Sequence, residues 1–204
     1  MVKFFRNAAL LLSLLVTCQV SAQTDSQPSV AIKEPTVGEG VSSRAGKDLN
    51  LGILWDEMEA SFRATRKFRV LSRNKADLAA VLEEQDFAKS DLAKGDAAAS
   101  GQLDNANYLI LPTVQDFKFY SAYSKLPNFD DKYKRSDVGL LQVSAKMIDT
   151  SSGQIVTTFS LSSKFNLNQG VVNGRGGKPS SKRFTQLSNE VSAQLADQFV
   201  NAVY

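Results

Sequence analysis

The run FRVLSRNKADLAAVLEEQDF, from Phe68 to Phe87, changes its hydrophobic period once, and that change limits the folds open to the chain more than any other feature. Phe68, Val70 and Leu71 form a short apolar run of strand type. Ser72, Arg73 and Asn74 interrupt it, and Leu78, Val81, Leu82 and Gln85 then recur at helical spacing. Asn74 or Ser72 is placed to cap the helix by accepting from its free backbone N–H groups. A strand that feeds straight into a helix is the seed of an α/β layer.

The rest of the chain extends that pattern. Val30 to Thr36 predicts a first strand closed by Pro35, which lacks a donor. Val37 to Gly46 has the glycine and serine content of a loop. From Lys47 to Lys67, Leu51, Trp55, Met58 and Phe62 make a helical stripe that faces a core. Ala88 to Ser100 reads as a loop or weak helix, and Gly101 to Ala106 as a short helical turn. Tyr108 to Val114 is a densely apolar strand, with Pro112 turning its far end into an edge or a bulge. Val138 to Asp149 and Gln154 to Phe165 alternate cleanly and predict an antiparallel pair. The turn between them, Asp149 to Gly153, is Asx-started with glycine at its end. Asn166 to Ser181 is loop by composition. Lys182 to Tyr204 is an amphipathic helix through Phe184, Leu187, Val191, Leu195 and Phe199, capped by Ser180 or Ser181. The expected fold is a single α/β domain: a mixed sheet of about four to five strands packed against helices, with an amphipathic helix at the C-terminus.

Residues 1–22 have the layout of an export signal: Lys3 and Arg6, an apolar centre from Ala8 to Val16, and the small residues Val20, Ser21 and Ala22. The apolar run is too short for a stable membrane-spanning helix. The chain is therefore expected to leave the cytoplasm, with residues 1–22 as signal, 23–29 as a polar linker and 30–204 as the domain. Cys18 is the only cysteine. Two routes are open: lipidation of Cys18, although Thr17 is larger than the residue usual before a lipidated cysteine, or cleavage after Ala22, which leaves a mature chain without thiol chemistry.

The chain has no histidine, which removes imidazole triads, most zinc sites and the usual base at neutral pH. Glu83 and Glu84 diverge around a helix and read as a solvated face. Asp130 and Asp131 are too few for a calcium loop. Gly177-Lys178 is followed by Pro179 and has no glycine at the upstream distance of a phosphate loop. The reading is therefore non-enzymatic, with no cofactor and no metal. Phe119 to Asp137 mixes aromatics with charges and predicts a projecting loop or extended hairpin, in which Tyr120, Tyr123, Phe129 and Tyr133 are the candidate partner or assembly residues. Beyond residues 1–22 bases and acids nearly balance, so nucleic acid is not an expected partner.

Several of these stretches, taken in order, resemble the CsgG family, the curli production assembly/transport component. They are Phe68 to Arg73; Leu78, Val81, Leu82, Glu84 and Gln85; Gly101 to Leu103; Ala106 to Ile110; Ile148 to Thr150; and Ser152 to Val156. The same order is similar to that of the LpoB-like activators of penicillin-binding proteins. Both resemblances imply a periplasmic α/β domain without enzymatic activity. The first implies an oligomeric outer-membrane channel for curli subunits, the second an adaptor in peptidoglycan synthesis. The implied partners are other proteins at the outer membrane or in the periplasm. A homo-oligomer and membrane contact belong to the channel reading. That reading would draw membrane hairpins from about Phe117 to Val143 and Phe159 to Phe184. Lys125, Asp130, Asp131, Lys132, Lys134 and Arg135 depart there from the apolar alternation that lipid-facing strands need.

Overall fold

The computed structural model describes residues 27–88 and 104–204. Strand β1, Ser29–Ile32, is buried along its whole length. It lies parallel to β3, Arg69–Leu71, on one side and to the start of β4, Tyr108–Lys125, on the other. A two-residue strand β2, Thr36–Val37, pairs in parallel with Thr113 and Val114 of β4. Strands β5, Lys132–Asp149, and β6, Ile155–Asn173, complete the sheet as antiparallel neighbours. The six strands run β3-β1-β4-β5-β6 with β2 beside β4. The mixed α/β sheet expected from the sequence is present, with β2 as the added strand.

Helices α2, Leu51–Ala64, and α4, Ser181–Val203, cover one face of this sheet. Asn50 caps α2 by accepting from Ile53 N at 3.1 Å. Leu54, Met58 and Phe62 form its buried stripe, while Leu51 and Trp55 are half-buried. Trp55 satisfies its indole N–H on Ile32 O at 3.0 Å. All five apolar residues expected on α4 are buried, together with Ser188, Ser192 and Ala196. Ser180 holds the cap position of α4 without a side-chain hydrogen bond. A chain of phenylalanines runs through the largely aliphatic core between the layers. Phe117 meets Phe184 edge-on at 5.7 Å, Phe159 meets Phe199 at 5.1 Å, and Phe62 meets Phe199 at 5.8 Å. Gly139 makes room for this cluster on β5, since a Cβ there would stand 2.3 Å from the Phe165 ring.

The change of period at Phe68 produces β3 and then α3, Lys75–Ala88. Asn74 caps α3 through Ala76 N at 2.9 Å, and Ser72 holds Asn74 N and Asp77. The α3 stripe is not buried, however, and Val81, Leu82 and Phe87 are exposed. The Asx-started turn is as expected: Asp149 Oδ1 accepts from Ser151 N and Ser152 N, and Gly153 adopts φ +71°.

Other expectations are corrected. Val37 to Gly46 is not all loop: Val37 belongs to β2 and Ser43–Gly46 forms a short helix, α1, capped by Ser42. Asn166 to Asn173 is strand, because β5 offers a continuous ladder that overrides the local preference for a loop. Gly170 sits with φ +80° beside the irregularity where β5 and β6 shift register, with its N–H on Asn168 Oδ1. The strand read from Tyr108 to Val114 shifts register between Val114 and Asp116 and continues to Lys125. Asp104 to Ala106, the described end of the expected helical turn, is irregular. Residues 1–22, most of the linker and nearly all of Ala88 to Ser100 lie outside the described residues.

Candidate functional site

Strands β4, β5 and β6 are each about 60 Å long, and the helices cover only part of that length. Core burial along them ends near Phe119, Gly139 and Phe165. Beyond these residues the three strands continue as a ribbon made of Tyr120–Lys125, Lys132–Val138 and Asn166–Asn173. The pairing sets Ser121 beside Asp137 and Leu167, Tyr123 beside Arg135 and Gly170, and Lys125 beside Tyr133 and Val172. These residues continue the face on which Phe117 and Phe119 meet α4.

A polar network takes over on this face where the phenylalanines stop. Asp137, 5% exposed, accepts from Ser121 Oγ at 2.6 Å and Arg135 Nε at 2.9 Å, with Arg135 Nη2 on its second oxygen at 3.3 Å. The same guanidinium donates to Lys178 O at 3.0 Å. Tyr123 donates its hydroxyl to Gly176 O. The segment leading into α4 is thus tied to the base of the ribbon. Gly177, φ +102°, leaves space there for Arg135.

The four candidate aromatics do not form one patch. Tyr120 is 49% exposed on the opposite face, across from Val138. Tyr123 and Tyr133 lie half-buried on the helix side, and the Arg175 guanidinium stands 4.9 Å from the Tyr133 ring. Phe129 is at the tip turn, 49% exposed, with Lys132 Nζ 4.6 Å from its ring centre. Phe119 to Asp137 is therefore an extended hairpin with polar and aromatic side chains on both faces. Cys18 lies outside the described residues. Among those residues no three His, Cys, Asp or Glu side chains gather as a metal site, and no helix is long and apolar enough to cross a membrane.

The Asp137 network and a cavity on the other edge of β4 were not visible to sequence reasoning. Ser121 and Asp137 are related only through strand register. The cavity joins the 38–48 loop to a strand far along the chain, and it holds about 920 Å³ beside α1 and Asp116–Ser121. Phe159 to Phe184, the stretch from which the channel resemblance would draw a second hairpin, forms one strand, a link and the start of α4.

A sequence model described as curli production assembly/transport component CsgG matches residues 56–201. No relative is found among curated proteins. Among solved structures, a DUF330 protein of Xanthomonas campestris is 11% identical, with 87% of this chain and 89% of that one covered at a TM-score of 0.47. A neuraminyllactose-binding hemagglutinin homologue of Helicobacter pylori is 10% identical, covering 85% and 86%, TM-score 0.46. Lipoprotein GNA1162 of Neisseria meningitidis is 14% identical, covering 85% and 99%, TM-score 0.39.

Proposed function

The chain belongs to the CsgG family, and from that membership we propose that it is an exported, non-enzymatic protein of the periplasm or the periplasmic face of the outer membrane. In this reading it acts in the assembly or transport of secreted, curli-type subunits. Residues 1–22 direct export, and 30–204 form the working domain. The observation that carries the proposal is the ribbon. Three paired strands extend past the core with aromatics at Tyr120 and Phe129 left open to solvent, an arrangement suited to contacts with other proteins. The lack of histidine in the sequence, and of any group of three acidic or thiol ligands among the described residues, is in keeping with a role without catalysis.

A second reading, an LpoB-like adaptor that activates a penicillin-binding protein, is favoured by one feature. Asp116, Lys118 and Tyr120 alternate on one face of β4, and Ser121, Tyr123 and Lys125 continue the other. Neither face carries the apolar band of a lipid-facing strand.

The native mass of the protein separates the two. A large, discrete oligomer extracted from outer membranes only in mild detergent supports the assembling role. A soluble monomer of the mature chain contradicts it and supports the adaptor. In both readings Tyr120→Ser with Phe129→Ser impairs assembly or partner capture with little loss of thermal stability, because neither ring is buried. A sharp drop in melting temperature would contradict the contact role of these rings.

A further inference from the structure

We propose that the cavity along the outer edge of β4 is a docking groove for an extended, acidic polypeptide segment that adds a strand to the sheet. The structure builds this groove in two steps. First, the loop after β2 packs against β4 as far as Gln115: Gly38 N donates to Val114 O at 2.8 Å, and a Cβ on Gly40 would stand 2.4 Å from Gln115 O. Only glycine allows so close an approach. Second, β4 shifts register at this point, and among the described residues Asp116 to Lys125 pair with β5 alone. The other edge of that stretch therefore carries backbone donors and acceptors with no strand beside them.

The groove carries more cations than acids. The cavity is lined by Arg44, Lys47, Lys118 and Lys178, against the acids Asp48 and Asp116. Lys178 is paired with Asp48 at 2.5 Å and Lys118 with Asp116 at 3.4 Å. Arg44 and Lys47 have no carboxylate partner among the described residues, so the groove keeps an excess of positive charge. An unpaired strand edge selects a polypeptide, because its alternating N–H and C=O groups match only another extended backbone. The unneutralised cations select acidic side chains on that backbone. Asp116 to Ser121 gives a ladder about 20 Å long, room for about six residues. The proposal rests on the protein-contact reading only in choosing a polypeptide as ligand, and it is independent of whether the protein forms a ring.

The test uses the mature protein and fluorescein-labelled capped peptides of alternating glutamate and valine, followed by fluorescence anisotropy. The expected result is saturable binding that weakens as salt rises and falls about tenfold in the charge-reversed variant R44E/K47E. Arg44 and Lys47 take no part in the core, and a melting curve verifies that the variant is folded. A peptide methylated on alternate backbone nitrogens should lose binding, since it cannot complete the ladder. Absence of binding overturns the proposal. So does equal binding of the lysine-for-glutamate peptide or of the N-methylated peptide. Preferential binding of an oligogalacturonate probe also overturns it, because an acidic glycan then suits the groove better than a strand. The native-mass measurement reads assembly separately, so this groove and the family role can fail independently.

Discussion

The same three strands are held together differently along their length. Near Phe117, Leu141 and Val143 the sheet is closed by α2 and α4 over fully buried side chains. Beyond Phe119 and Phe165 the ladder continues, but its side-chain support changes to Ser121, Arg135 and Asp137 and to the link through Gly176 and Lys178. Burying apolar area stabilises by roughly 25 cal/mol per Å², whereas a hydrogen-bonded network contributes about 1 kcal/mol per bond after its exchange with water. The covered half therefore holds the fold, and the ribbon is kept in shape with few residues committed to packing. That division leaves the ribbon's surface free for contacts.

The largest test of this contrast is Phe199→Ala, which removes a ring in contact with Phe62 and Phe159. A loss of about 3–5 kcal/mol is expected in denaturant unfolding, shared by every part of the sheet. Gly139→Ala forces a methyl group against Phe165 and Leu187 Cδ1, and should cost about 2–3 kcal/mol by overpacking in the same measurement. It strikes the boundary between the two halves. Asp137→Asn keeps the side-chain shape but removes the charge that Arg135 and Ser121 serve; a loss of about 1–2 kcal/mol is expected, appearing as faster proteolysis of the ribbon before global unfolding.

The smallest expected effects come from pH. Glu59, with 14% of its side chain exposed, is desolvated by burial, and Arg63 only partly offsets this, so its pKa lies above the ordinary 4.5. The native state then holds this proton more tightly than the unfolded chain. Its contribution is most favourable below 4.5 and diminishes as pH rises through that value toward the folded one. In Glu59→Gln a melting-temperature series across this range should lose that decline. Asp149 has the opposite sign. The Ser151 hydroxyl and then the Ser152 N–H favour its charged form and hold its pKa below 3.8, so its contribution is present above 3.8 and lost as pH falls.

Much of the covered half was legible in the sequence because its signals are local. The period change at Phe68 marks β3 and α3, the alternation around Asp149 to Gly153 marks a hairpin, and every apolar residue of the α4 stripe lies on its buried face, to which Ser188, Ser192 and Ala196 are added. The ribbon was legible only in part. Its aromatics stand out in Phe119 to Asp137, but Asn166 to Asn173 looks like a loop until β5 lies beside it. Glycine and asparagine carry no strand preference of their own, and the ladder supplies it. The stripe on α3 marks the helix but not its exposure, since helical spacing fixes which residues share a face and not whether anything covers that face. Arg135 meets Lys178 across 43 positions, a contact no window of sequence contains.

Amide hydrogen exchange of the mature protein, read strand by strand, tests the division most directly. Amides of Ile110–Val114, Pro112 apart, and of Leu141–Met147, which have a strand on both sides, should exchange only through global unfolding. Those of Tyr120–Lys125 and Lys132–Asp137 should exchange through local openings about 2 kcal/mol or more below it, and should slow on assembly or partner binding. Equal protection along the full length of β4 and β5 would contradict the account, because the ribbon would then be part of the core and not a surface held out for contacts.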